Sequence, residues 1–132
     1  MATVTATVSL TSASGDLTTN ALTLSDSVAI TASHTTGLAR APVKATAVHA
    51  TATTLYTADD FAAPAYLYIK NTHATASEYI WVYDDDTSDV VILKMGGNQW
   101  AFMPIKGDKT LKAYAPSGND PVIEFMVFGT DQ

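Results

Sequence analysis

The chain has 132 residues, 47% hydrophobic and 15% charged, with seven Lys and Arg against thirteen Asp and Glu and a net charge of −6. That length suits one domain able to bury about two-thirds of its unfolded surface, and a charged share below the usual ~25% marks a chain that hides much of itself from water. The acidic balance and scattered cations speak against nucleic-acid binding, and the absence of Cys excludes disulfides and thiolate metal sites.

The opening MATVTATVSL has no basic segment leading into an apolar run, so no signal peptide is expected. No apolar stretch of ~18 residues predicts a transmembrane helix. The expectation is a soluble product, made in a cytoplasm. Val4, Ala6, Val8 and Leu10 alternate with Thr5, Thr7 and Ser9, which predicts a strand with one apolar and one hydroxyl face. A turn follows at Ser12–Asp16. Leu22, Leu24, Val28 and Ile30, interrupted by Ser25-Asp26-Ser27, read as two short strands or one bent strand. His34 to Pro42, bracketed by Gly37 and Pro42, reads as loop, and Val43 to Ala52 as either β or irregular. Thr57 to Ala63 predicts one helical turn with Thr57 as N-cap and two acids near the positive helix end.

From Pro64 onward six strands are predicted: Tyr66–Lys70, Tyr79–Tyr83, Val90–Met95, Trp100–Ile105, Thr110–Ala115 and Val122–Phe128. Turn-forming residues separate them, and Pro104 belongs on an edge or at a strand end. This is the pattern of an all-β fold, an antiparallel β-sandwich (jelly-roll-like or Ig-like) of about eight or nine strands with an extended N-terminal segment. Val90–Leu93 and Ile123–Phe128 are almost wholly apolar and read as strands buried on both faces. Trp100 and Phe102 are expected to anchor the principal core. All twelve aromatic residues fall between Tyr56 and Phe128. The later part of the chain can therefore build its own core, whereas residues 1–55 need something to lie against. The expectation is a single domain over 1–132, with 1–20 a candidate contact arm.

No catalytic constellation emerges. His34, His49 and His73 lack metal-ligand spacing. In Asp84-Asp85-Asp86-Thr87-Ser88-Asp89, Asp84, Asp86 and Ser88 match the odd positions of a calcium loop. Asp89 stands where glycine belongs, however, and Met95 where the bidentate glutamate belongs, so a solvated hairpin tip is the preferred reading. Gly96-Gly97-Asn98 is no phosphate loop, since no Lys-Ser or Lys-Thr follows. Its glycines are expected to supply positive φ for a tight turn. No Gly-x-Ser-x-Gly elbow is present. Tyr79, Trp81 and Tyr83 share one strand face, where core or protein interface is preferred to a sugar-stacking platform. Glu124, on an otherwise apolar strand, reads as a residue of a subunit contact or sheet face. Neither a cofactor nor a metal is predicted.

Ala65-Tyr-Leu-Tyr-Ile-Lys-Asn-Thr72, Ile92-Leu-Lys-Met-Gly-Gly-Asn-Gln-Trp-Ala-Phe-Met-Pro-Ile105 and Leu111-Lys-Ala-Tyr-Ala115 together resemble small virion proteins of tailed bacteriophages. Ser33 to Arg40 is similar to the linker of such proteins, and the resemblance covers roughly residues 22–128. It implies a β-sandwich that decorates or cements a capsid, or belongs to a tail, and it identifies no active site. The expected function is thus a non-enzymatic capsid decoration protein on the virion surface, made in the host cytoplasm. Its partners would be the major capsid protein and itself as a homo-oligomer, a trimer preferred, with neither nucleic acid nor membrane. A tail- or fibre-associated structural protein and a carbohydrate-binding module using Tyr79, Trp81, Tyr83 and the acidic tip are the alternatives. Candidate interface residues are Val4, Val8, Leu10, Arg40, Tyr79, Trp81, Tyr83 and Glu124.

Overall fold

In the computed structural model, which describes residues 1–15, 20–43, 52–58, 60–85, 90–116 and 120–131, the period-two stretches are strands and the described residues contain no helix. The protein is all-β and antiparallel. It divides into two compact units, Met1–Ala32 and Ser33–Gln132.

The first unit is a hairpin. β1 (Ala2–Ser12) pairs with β2 (Leu22–Ala32) in an unbroken register from Ala2 opposite Ala32 to Ser12 opposite Leu22. The segment expected as a contact arm supplies the first strand. β2 is one continuous strand rather than two, because its full-length ladder with β1 carries Ser25-Asp26-Ser27 through despite their weak β propensity. Alternation places Val4, Ala6, Val8 and Leu10 on the same face as Leu24, Val28 and Ile30. Thr and Ser dominate the other face, where the Thr7 hydroxyl donates to Ser27 Oγ at 3.3 Å.

The second unit contains two sheets. One has the order β5 (Thr53–Tyr56), β10 (Leu111–Tyr114), β7 (Ile80–Asp84), β8 (Val90–Met95). The other runs β3 (His34–Thr35), β11 (Val122–Thr130), β6 (Ala62–Asn71), β9 (Trp100–Ile105), and β4 (Ala39–Pro42) also pairs with β11. A single apolar cluster joins their inner faces. Leu55, Ile80, Val82, Met95, Leu111 and Ala113 come from the first sheet, and Ala65, Leu67, Ile69, Ile123, Phe125 and Val127 from the second. Two sheets sharing one core in this way make a sandwich.

Eleven strands are present among the described residues, more than the eight or nine expected, because β3 and β4 lie in the stretch expected as loop and β5 in residues assigned to no element. β3 and β4 flank Gly37, whose φ of 69° turns the chain between them. No helical turn is present among the described residues of the expected Thr57–Ala63. Asp60 Oδ2 accepts the Thr57 N–H at 2.9 Å, as half of a capping box would, but the chain enters β6 at Ala62 before a helix can follow.

Three further expectations are corrected. β8 is not buried on both faces: it is a sheet edge, with Val90 54%, Val91 39% and Ile92 40% exposed. β11, by contrast, is an interior strand between β6 and the β3/β4 strands; Ile123, Phe125 and Val127 are buried on its core face, whereas on the other face Phe128 is buried and Glu124 and Met126 are half-buried. β9 is turned over relative to expectation. Ala101, Met103 and Ile105 pack on the core, whereas Trp100 is 57% exposed and Phe102 lies on the outer face, stacked beside Tyr66 and Phe128. Gly96 and Gly97 do not have positive φ; that conformation belongs to Asn98, at 62°. The glycines are needed for close approach instead. A Cβ on Gly97 would sit 2.2 Å from the Thr75 carbonyl oxygen, and one on Gly96 2.4 Å from that of Ala76. Pro104 does fall on an edge strand, β9.

Candidate functional site

Three groups of side chains contain every predicted interface residue. The first is the aliphatic face of the hairpin. Val4 there is half-buried, while Val8 and Leu10 are 37% and 52% exposed. β2 completes the face with Leu24 at 45% and Val28 at 50%. Those two β2 residues were not among the predicted site residues, although their spacing has the same parity as that of β1. Asp26 stands opposite Val8 in the same row and accepts the Ser27 N–H at 2.8 Å.

The second group joins two predicted residues far apart in sequence. Arg40 on β4 lies opposite Glu124 on β11, and its Nε and Nη2 donate to Glu124 Oε2 at 3.0 and 2.8 Å. The Tyr68 hydroxyl, from β6, donates to Glu124 Oε1 at 3.3 Å. The hydrogen bond from Arg40 is the main reason the Glu124 carboxyl titrates below its ordinary range, with Tyr68 and Lys70 adding to the effect. Partial burial, followed by the neighbouring carboxylate, pushes the Tyr68 phenol up. This is a charged clasp on a sheet face, and it satisfies Glu124 on an otherwise apolar strand.

Tyr79, Trp81 and Tyr83 form the third group, together with Tyr114 of β10. Trp81 and Tyr83 lie 5.7 and 5.5 Å from the Tyr114 ring. The three predicted residues are not equally accessible. Tyr83 is fully buried, Trp81 is half-buried, and Tyr79 is 40% exposed beneath the Lys94 ammonium, 4.4 Å from its ring centroid. The Trp81 indole N–H is buried without a hydrogen-bond partner among the described residues. Tyr83 therefore has no face to offer an external sugar, and the three-ring platform is not formed.

Among the described residues no cluster of three or more His, Cys, Asp or Glu is arranged to hold a metal. His49 and Asp86 to Asp89 of the acidic tip lie outside those residues. Asp85, at the start of the tip, pairs with Lys112. His34 Nδ1 lies 4.0 Å from Asp131 Oδ1, and the neighbouring Ser33 Oγ accepts the Asp131 N–H at 2.9 Å. No nucleophile–base hydrogen bond links Ser33 to His34, so the trio lacks the geometry of acyl transfer. No helix among the described residues is long and apolar enough to cross a membrane.

No protein-family model matches the chain, and neither the curated proteins nor the solved structures contain a match to it.

Proposed function

We propose that this chain is a non-enzymatic structural protein of a tailed-bacteriophage virion, a capsid decoration protein that cements the shell. The observation that carries this reading is the hairpin. It is a two-stranded ribbon with an aliphatic face, four of whose residues remain between 37% and 52% exposed. A two-stranded ribbon is marginal in water by itself, and its ladder edges and aliphatic face are both surfaces that a second molecule can complete. The resemblance of residues 22–128 to tailed-phage virion proteins supplies the setting.

The size of the hairpin sets the mechanism. At ~3.4 Å per residue and ~4.8 Å per strand, one face of the ribbon covers about 360 Å². That is well below the ~800 Å² per partner of a standard stable interface. One hairpin on one capsid subunit is therefore a weak contact, and stabilisation comes from repetition. Several arms held in one oligomer engage neighbouring capsid subunits at high effective concentration. Shell rupture then has to break all of those contacts together. The partners are the major capsid protein and further copies of this chain, a trimer being preferred, and the hydroxyl face suits a contact in which water bridges remain.

Co-sedimentation with shells that lack the protein tests this reading. The account expects saturable binding to the shells and, by light scattering, more than one chain per free particle. Binding to isolated tails but not to shells would replace the capsid role with a tail role, and binding to neither would overturn the proposal.

A further inference from the structure

We infer that the corner between β8 and β9 is a binding site for an uncharged hexopyranose unit of an oligosaccharide. The site lies within the second compact unit, whereas the capsid contact proposed above uses the hairpin, so the two inferences stand or fall separately. Trp100 opens β9 with 57% of its surface exposed, more than any other aromatic residue of the chain described as exposed. It lines a shallow, open depression together with Leu93, Lys94, Met95, Asn98, Gln99 and Ala101.

The polar groups around the ring are fixed by the fold and partly unused. Gln99 Oε1 accepts the Gly96 N–H at 2.8 Å, which anchors the amide and leaves its NH₂ without a partner among the described residues. Asn98 Nδ2 donates to the Ala74 carbonyl at 3.3 Å, which leaves the side-chain oxygen available as an acceptor. The backbone that holds both amides is itself tied down. Asn98 N–H donates to Asn71 O at 3.0 Å, Asn71 N–H to Gln99 O at 3.0 Å, and Gln99 N–H to Gly96 O at 3.2 Å. The close seating of Gly96 and Gly97 on the 73–76 loop removes remaining slack. Lys94 makes no ion pair among the described residues; its ammonium lies over Tyr79. A ligand meeting such a preorganised set loses little affinity to ordering the protein.

A pyranose ring matches these groups. One of its faces is made of C–H bonds and stacks on an indole, while its hydroxyls both donate and accept, as side-chain amides do. A hydrophobic protein contact matches less well, because the centre of a protein interface is apolar and depleted of charge, whereas Asn98, Gln99 and Lys94 share this depression with Leu93, Met95 and Ala101. The net charge of −6 disfavours a polyanionic glycan. The structure thus moves the sugar platform from Tyr79, Trp81 and Tyr83 to Trp100.

An array of neutral gluco-, galacto- and manno-oligosaccharides, probed with the full chain and followed by titration of tryptophan fluorescence, tests the assignment. Binding is expected for at least one of them, with a change in Trp emission. Trp100→Ala should weaken it by about tenfold or more, equivalent to ~1.4 kcal/mol, and Gln99→Ala should weaken it less, with a small fall in melting temperature because the buried Gly96 N–H loses its acceptor. Trp81→Phe should bind as the parent does. The inference is overturned if no neutral oligosaccharide binds, or if Trp100→Ala and Gln99→Ala both bind undiminished. A change in oligomeric state in Trp100→Ala without any sugar binding by the parent would also overturn it, by making the ring a contact between copies.

Discussion

Asn71 is the buried polar side chain on which one corner of the sandwich depends. It is fully buried at the end of β6. Its Nδ2 donates to the carbonyls of Glu78 at 2.8 Å and Met95 at 3.4 Å, and its Oδ1 accepts the His73 N–H at 3.1 Å. One amide thus ties together β6, the loop before β7 and the end of β8. Asn71→Ala strands these groups in the interior and should cost about 2–4 kcal/mol in urea unfolding; a loss below ~1 kcal/mol would show that water replaces the amide. Nothing local in the sequence distinguishes Asn71 from a turn residue: its bond to His73 is the ordinary two-residue one of a turn, and the Glu78 and Met95 carbonyls come from farther along the loop and from the end of β8. The Arg40–Glu124 pair was legible only as two separate polar residues, because the β4–β11 register that joins them does not show in the composition. The Glu124 carboxyl is held below its ordinary value of 4.5, first by Arg40. Its contribution to stability is therefore present above the unfolded-state pKa and is lost as pH falls through the lower folded-state value. Glu124→Gln should flatten that acid limb of the melting temperature against pH. The effect is small, because the Arg40 side chain is 71% exposed and screened by water.

β9 shows what an apolar pattern says and what it leaves open. Its ends and those of β8 coincide with the expected Trp100–Ile105 and Val90–Met95, since Gly96-Gly97-Asn98 and the Lys106 turn bound them clearly. The orientation of β9 was not legible, because both of its faces are apolar and a period of two then carries no sign. Phe102 consequently stacks on the outer face at 5.9 Å from Tyr66 and 6.2 Å from Phe128. Phe102→Ala should cost about 1–2 kcal/mol in urea unfolding, the scale of partial burial plus ring contacts, and not the ~3–5 kcal/mol of a core phenylalanine. A loss in the higher range would mean that the ring is enclosed. β8 misled for a related reason. A continuous apolar run usually belongs to a central strand, yet here it forms an edge. Its pairing with β7 shifts register between Val82 and Tyr83, and such a bulge twists an edge away from regular pairing with other chains.

At the scale of the molecule, the concentration of aromatic residues after Tyr56 correctly located the core, whose buried members lie between Val43 and Val127. The partner of the aromatic-free beginning could not be read from that pattern: β1 is completed by β2, and together they make a unit of their own. The Val and Thr alternation specified β1, whereas Ser25-Asp26-Ser27 left Leu22–Ile30 open between two short strands and one bent strand, and the full-length ladder with β1 makes it one. The central claim is that the aliphatic face of this hairpin seats the protein on a capsid. Leu10 and Leu24 face each other across the hairpin, both about half exposed, so their replacement by Asp removes apolar contact without emptying the core between the two sheets. The decisive measurement is co-sedimentation of the Leu10→Asp/Leu24→Asp variant with shells lacking the protein, alongside thermal unfolding of the same sample. The account predicts that affinity for the shell falls by about tenfold or more, or ~1.4 kcal/mol, while the main unfolding transition stays in place. Undiminished binding by the folded variant would contradict it.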